Sequence, residues 1–261
     1  DMRVLLPLPD NDFDVTEVAI PWKILTSKGH TVVFATENGG TAPKCDPLLL
    51  TGVIFGKLGA EEEAKAAYAE LEKNEAFNQP ISWKDLVPSD YDGLLLSGGH
   101  AQGMKQYLGS EDLQRQIANF WNLKRPVGAI CHGVLVLARS KDAEGQSVLR
   151  GFQTTCLPKF MERAAYLTTW WKLGNYYRTY PEYVEDEVKR LAEDSGQFQR
   201  GPFKLGNKPI DAPQDAFIVS DRHYVSGRYS HLQVVPHITR WPGDAWEYAR
   251  KFCSMLESQG E

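Results

Sequence analysis

The chain has 261 residues, 42% of them hydrophobic, with a net charge of −5 and an isoelectric point near 5.8. That is enough apolar material for a sizeable core, and the acidic balance argues against a nucleic-acid binder, which is normally basic. No uninterrupted apolar run approaches the ~18 residues of a membrane span. A strand pattern begins directly after Asp1-Met2-Arg3, so no signal peptide and a cytoplasmic location are expected, with neither nucleic acid nor membrane as partner.

Strand and helix patterns alternate along the chain, which favours an α/β fold with a mostly parallel sheet covered on both faces. Residues 3–8 read as a strand, Val15–Ser27 as a helix and Thr31–Thr36 as a second strand. A third strand is expected over 91–97, ending in Gly98-Gly99-His100, and an amphipathic helix over 111–123 with Leu113, Ile117, Phe120 and Trp121 on one face. Residues 126–130 form the next strand, and later strands are expected at 153–156, 216–219 and 224–226 before a closing helix over 246–256. The reading is a single domain over 1–261 with two insertions, about 42–83 and 160–203. The charged face of the first reads as solvated, and the aromatic residues of the second as packing or as a cap over a site at the strand ends.

The most informative stretch is Pro126-Val-Gly-Ala-Ile-Cys131-His132-Gly133-Val-Leu-Val-Leu-Ala138. A buried strand stops at Cys131 and passes straight into a helix, the arrangement of a nucleophile elbow. A cysteine there is expected to be exposed at the end of the sheet, with the helix N-terminus favouring its thiolate; the alternative is an ordinary buried core cysteine. In an open parallel sheet the ligand crevice lies outside the carboxyl ends of the strands, so three further groups belong near it. The N–H groups of Gly98 and Gly99, with that of His132, could face a developing oxyanion, Gly133 is part of the same turn, and His100 is a pocket residue. Glu17, on the first helix, either bonds the cysteine sulfur and exchanges protons near neutral pH or is a solvated helix carboxylate. Cys45, Cys131, Cys156 and Cys253 form no C-x-x-C pair, which suits reduced thiols. His223, His231 and His237 have no ligand spacing, so no metal and no other cofactor is expected.

Glu17-Val-Ala-Ile-Pro21, Leu94-Leu-Leu-Ser-Gly98-Gly99-His100 and Ala129-Ile-Cys131-His132-Gly133 together resemble the ThiJ/PfpI superfamily, which has the class I glutamine-amidotransferase-like fold. The resemblance runs from Met2 to about Leu256 and is closer to the large chaperone/glyoxalase branch; residues 180–189 resemble the family's helix that follows the strand after the elbow. It implies a flavodoxin-like sheet, Cys131 as nucleophile, Glu17 as its acid/base partner, and an oxyanion pocket around Gly99 and His132. It also implies a small-molecule substrate and a homodimer by default. In triad-bearing members an acid orients the histidine; the aligned position here holds Lys159, and Glu162 is the candidate replacement. The family includes glutathione-independent glyoxalases, hydrolases, hydratases and chaperones. A glyoxalase-like conversion of a 2-oxoaldehyde to a 2-hydroxy acid is the leading expectation. A cysteine hydrolase or hydratase (on an amide, isonitrile or peptide) and a non-enzymatic chaperone or thiol redox sensor are the alternatives. Glutamine amidotransfer is not expected, because His231-Leu-Gln233 offers no acid.

Overall fold

The computed structural model describes residues 1–202, 216–229 and 243–259. In chain order the elements are β1 (Arg3–Pro7), β2 (Asn11–Phe13), α1 (Val15–Ser27), β3 (Thr31–Thr36), β4 (Lys44–Cys45), α2 (Pro47–Thr51), α3 (Glu62–Leu71), α4 (Glu75–Asn78), β5 (Ile81–Ser82) and β6 (Gly93–Leu96). They continue with α5 (Met104–Leu108), α6 (Glu111–Asn122), β7 (Val127–Ile130), α7 (Val134–Arg139), α8 (Lys159–Leu173), α9 (Val184–Leu191), β8 (Ile218–Asp221), β9 (Tyr224–Gly227) and α10 (Gly243–Glu257).

Among the described residues seven strands form one sheet in the order β5-β3-β1-β6-β7-β9-β8, parallel except where β8 runs antiparallel to β9. Its five central strands, β3-β1-β6-β7-β9, have the flavodoxin-like order 2-1-3-4-5, so the expected α/β fold is present and its switch point lies between β1 and β6. The central strands β6 and β7 are buried at every residue, as an apolar strand covered on both faces must be. Helix α6 starts where Ser110 caps it, its hydroxyl accepting from the Leu113 N–H at 3.1 Å, and buries Leu113, Ile117, Phe120 and Trp121.

Three expectations need correction. Residues 153–156 are not a sheet strand: Thr154 makes an isolated bridge to Phe198, and the strand beside β7 is β9. The reason lies in its threonines. The Thr154 N–H donates to the Gln197 carbonyl at 2.9 Å and the Thr154 carbonyl accepts from the Gln199 N–H at 2.8 Å. The Thr155 N–H bonds the Ser226 hydroxyl at 2.9 Å and the Thr154 hydroxyl meets that of Tyr224 at 2.9 Å, so the backbone pairs outside the sheet and meets β9 through hydroxyls. The stretch 42–83 is also more than an addition, since its β5 extends the main sheet by pairing with β3, and its α3 packs on α1. Third, the aromatic residues of 160–203 divide: Tyr177 is buried, whereas Trp170 and Trp171 are more than half exposed. His231 and His237 lie outside the described residues. No helix among the described residues is long and apolar enough to cross a membrane.

The closing helix is fastened by charge. Asp244, at the start of α10, accepts from Arg228 Nε at 2.9 Å and from the Phe217 N–H at 2.7 Å, and both side chains of the ion pair are buried. Removing one partner of such a pair strands the other charge. Asp244→Ala is expected to cost about 3–5 kcal/mol, seen as a lower urea midpoint with an unchanged slope; an unchanged midpoint would show that the pair does not hold α10.

Candidate active site

The carboxyl ends of β1, β6 and β7 deliver the three parts of the candidate site, at the switch point of the sheet. After β7 the chain turns sharply through Cys131, whose φ of +56° lies in the left-handed region that non-glycine residues avoid. This is the strained conformation of a nucleophile elbow, held by the buried run on both sides. Gly133 in the same turn has no room for a side chain, because a Cβ would lie 2.3 Å from the Leu96 carbonyl oxygen.

Glu17 is brought in by the first turn of α1. Asp14 caps that helix, accepting from the Thr16 and Glu17 N–H groups at 2.8 and 3.1 Å. Pro21 sits inside the helix and has no N–H, so the Glu17 carbonyl lacks its usual i+4 donor. The Ser97 hydroxyl fills the gap, donating to the Glu17 carbonyl at 2.9 Å. The Glu17 side chain is 1% exposed, and its Oε2 accepts from the Gly98 N–H at 2.6 Å. Its Oε1 has no nitrogen or oxygen partner among the described residues, and the carboxyl interacts with the Cys131 thiol. Glu17 is therefore not a solvated carboxylate.

The rest of the cluster is imidazole. Cys131 Sγ lies 3.6 Å from His132 Nδ1 and 3.9 Å from His100 Nε2, and the two rings meet edge to face at 4.9 Å. His132 is adjacent to Cys131 in sequence, yet the turn does swing its ring back to the sulfur. Its Nε2 faces Glu162 Oε1 at 3.9 Å. Glu162 has closer partners: Arg178 Nη1 donates to Oε1 at 3.0 Å and the Val184 N–H to Oε2 at 2.9 Å. So the structure brings Cys131, His132, Glu17, His100 and Glu162 together. Lys159, at the aligned acid position, instead pairs with Asp186 at 2.6 Å.

Two expectations about the chemistry change. The thiol is not exposed: Cys131 is 1% exposed, and burial pushes its pKa well up, with Glu17 and Asp14 adding to the rise and the His132 N–H opposing it. The Glu17 carboxyl is likewise pushed well above the usual range by burial first and by Asp14 second, against the Gly98 N–H. Burial thus disfavours the charged form of both groups, and the dipole of the short α7 does not outweigh it at Cys131. Second, the Gly98 N–H is taken up by Glu17 and not aimed at an oxyanion. Gly98 is required for close approach, since a Cβ there would lie 2.7 Å from the His132 nitrogen. Burial also raises Glu162, to about 7, against the Val184 N–H and Arg178.

Sequence reasoning did not single out Asp14, Arg178 or Thr179. Asp14 carried a signal, because an Asp followed three residues later by Glu is a helix-start pattern. Arg178 and Thr179, between α8 and α9, carried none. This segment is tied to the turn after β6: Gln102 Nε2 donates to the carbonyls of Asn175 and Arg178 at 2.7 and 2.6 Å, and the Tyr177 ring lies 6.1 Å from His100. Tyr176 and Tyr177 also donate to the two oxygens of buried Asp46, at 2.9 and 2.7 Å, joining residues 160–203 to 42–83. Among the described residues, two groups of three donors have metal-ligand spacing, His100–Cys131–His132 and His30–Cys253–Glu257. His223 packs against Trp121 and Phe152.

The ThiJ/PfpI family-like profile matches residues 8–202. An uncharacterized protein of Schizosaccharomyces pombe is 29% identical over 174 residues, covering 64% of this chain and 62% of that protein. A probable glutathione-independent glyoxalase of the same yeast is 23% identical over 143 residues, 55% of this chain and 56% of the relative. The chain therefore spans less than two thirds of the length of both relatives. Glyoxalase III from Candida albicans shares the fold, with a TM-score of 0.65 at 22% identity and 97% of each chain covered. The matched stretch contains the first-helix glutamate, the Gly-Gly-His turn and the cysteine elbow, and the chain belongs to the ThiJ/PfpI-like family.

Proposed function

We propose that the protein is a cysteine-dependent enzyme of glutathione-independent glyoxalase type, converting a small 2-oxoaldehyde and water to a 2-hydroxy acid. The observation that carries this reading is the buried pair of Cys131 and Glu17 in contact, each with its acid form favoured by burial, and the His132 ring 3.6 Å from the sulfur. A protonated carboxyl beside a thiol can move protons in both directions at neutral pH, which carbonyl isomerisation needs. Crowding by two imidazoles and a carboxyl suits a small substrate. A relative named as a probable glutathione-independent glyoxalase lends weight to the same reading.

The steps balance without any other reagent. The Cys131 sulfur adds to the aldehyde carbon while the thiol proton, passed through Glu17 or His132, ends on the aldehyde oxygen, giving a hemithioacetal. Base removal of the proton on that carbon, with protonation of the neighbouring carbonyl oxygen, gives an enediol. Returning a proton to the second carbon, with loss of the hydroxyl proton on the sulfur-bearing carbon, gives a thioester of the 2-hydroxy acid. Water then attacks the thioester carbon, the sulfur leaves and takes up a proton, and the acid is released.

The test is methylglyoxal turnover to lactate in the absence of glutathione. Cys131→Ala is expected to lower kcat/KM at least about 10³-fold and Glu17→Gln by about 10²–10⁴-fold; undiminished turnover in either variant would overturn the mechanism.

A second reading, a cysteine hydrolase or hydratase, is favoured by one observation, the Glu162 carboxyl 3.9 Å from His132 Nε2. Glu162 also gives the pH dependence its sign. Its carboxyl titrates at about 7. Below that it is neutral; above it the carboxylate stabilises the imidazolium formed when His132 takes the thiol proton. Turnover is therefore expected to rise as pH increases through about 7, with Glu162→Gln removing this inflection. A profile with the same inflection in wild type and variant would exclude Glu162 from the proton chemistry. Turnover of an amide or isonitrile but not of methylglyoxal would select the second reading.

A further inference from the structure

Thr179 lies in the segment between α8 and α9, far from Cys131 in sequence, and is 1% exposed. Its hydroxyl makes two contacts. It donates to the backbone carbonyl of His100 at 2.6 Å, and it lies 3.4 Å from His132 Nε2. A hydroxyl has a single proton, and a carbonyl oxygen can only accept, so the Thr179 proton is committed to His100. Toward His132 the hydroxyl oxygen can then only accept, and Nε2 must carry a hydrogen. A neutral imidazole has one N–H, which leaves Nδ1 with a lone pair, and Nδ1 is the nitrogen 3.6 Å from Cys131 Sγ.

We infer that Thr179 is a positioning residue that fixes the His132 tautomer, so that the nitrogen facing the Cys131 thiol is the basic one. The inference deepens the proposed role of Cys131 as nucleophile and rests on it. When the thiol ionises, its proton passes to Nδ1, giving a thiolate and an imidazolium. The two ring N–H groups are then held by the sulfur on one side and by the Thr179 oxygen, with Glu162 Oε1 at 3.9 Å, on the other. Glu162 favours the same tautomer, but Thr179 is nearer and Glu162 is engaged by Arg178 at 3.0 Å. The same hydroxyl also holds the carbonyl of the Gly-Gly-His turn, so one side chain sets the positions of both imidazoles around the sulfur.

The test needs no substrate, which separates it from the assignment of the reaction. Nitrogen-15 NMR of the histidine-labelled protein is expected to show His132 with Nε2 protonated and Nδ1 unprotonated at neutral pH. Thr179→Val, of the same shape without the hydroxyl, is expected to mix the tautomers. It should also lower the Cys131 thiolate fraction about tenfold, one pKa unit, in the pH dependence of thiolate absorbance with Cys131→Ser as the blank. Thr179→Ser is expected to restore both. A wild-type His132 protonated on Nδ1 would overturn the inference even if the valine variant failed to fold, as would a folded Thr179→Val with unchanged tautomer and thiolate profile. Absence of methylglyoxal turnover alongside the expected tautomer behaviour would sink the glyoxalase reading and leave this one standing.

Discussion

One backbone N–H, that of Gly98, orders the centre of this molecule. A carboxyl group withdrawn from water needs donors, and at the end of β6 it finds one at 2.6 Å. The same junction is tied twice more, by the Ser97 hydroxyl on the Glu17 carbonyl and by the Asp14 N–H on the Gly98 carbonyl at 2.9 Å. Pro21 makes the first of these ties available, because a helix without that proline would satisfy the Glu17 carbonyl internally. An interior proline, ordinarily a defect in a helix, here frees an acceptor that docks the helix onto the sheet. The first helix and the central strand are thus locked together at the residue whose acidity matters most, and no side chain fits at Gly98 to separate them.

Burial, not the helix dipole, sets the electrostatics that follow. Glu17 and Cys131 lie side by side with Asp14 nearby, and each disfavours charge on its neighbours. Burial thus favours the neutral forms of both Glu17 and Cys131. This differs from an elbow cysteine whose thiolate is favoured at an exposed helix N-terminus.

Much of this was legible in the residues. The run from Val127 to Ala138 marked the elbow because a strand pattern met a helix pattern at a cysteine, and parallel topology then placed Glu17 and the Gly-Gly-His turn at the same sheet end. What was not legible has a common cause. The exposure of Cys131 depends on what covers it. The coverage comes from distant segments whose hydrogen bonds, such as Thr179 to the His100 carbonyl or Tyr177 to Asp46, leave no periodic trace. Residues 153–156 have a strand's composition, but Thr154 pairs its backbone with Gln197 and Gln199 outside the sheet, and β9 meets the stretch through hydroxyls. The pattern Asp14-Val-Thr-Glu17 would ordinarily read as a reciprocal helix cap. Only the first half of that cap forms, because the glutamate turns away from the helix end toward the sulfur, and the Asp14 N–H bonds Gly98 instead.

The wide separation of these parts along the chain has a consequence for biogenesis. Strand β1 must find β6 some ninety positions later, and the sulfur at Cys131 gains its full surroundings only once Thr179 has arrived. Long-range parallel pairing of this kind is slow to form. A growing polypeptide leaving the ribosome therefore holds Cys131 without these neighbours until Thr179 has been made. Cys131 and Glu17 are separate groups on the growing chain, and they become neighbours only on completion of the fold.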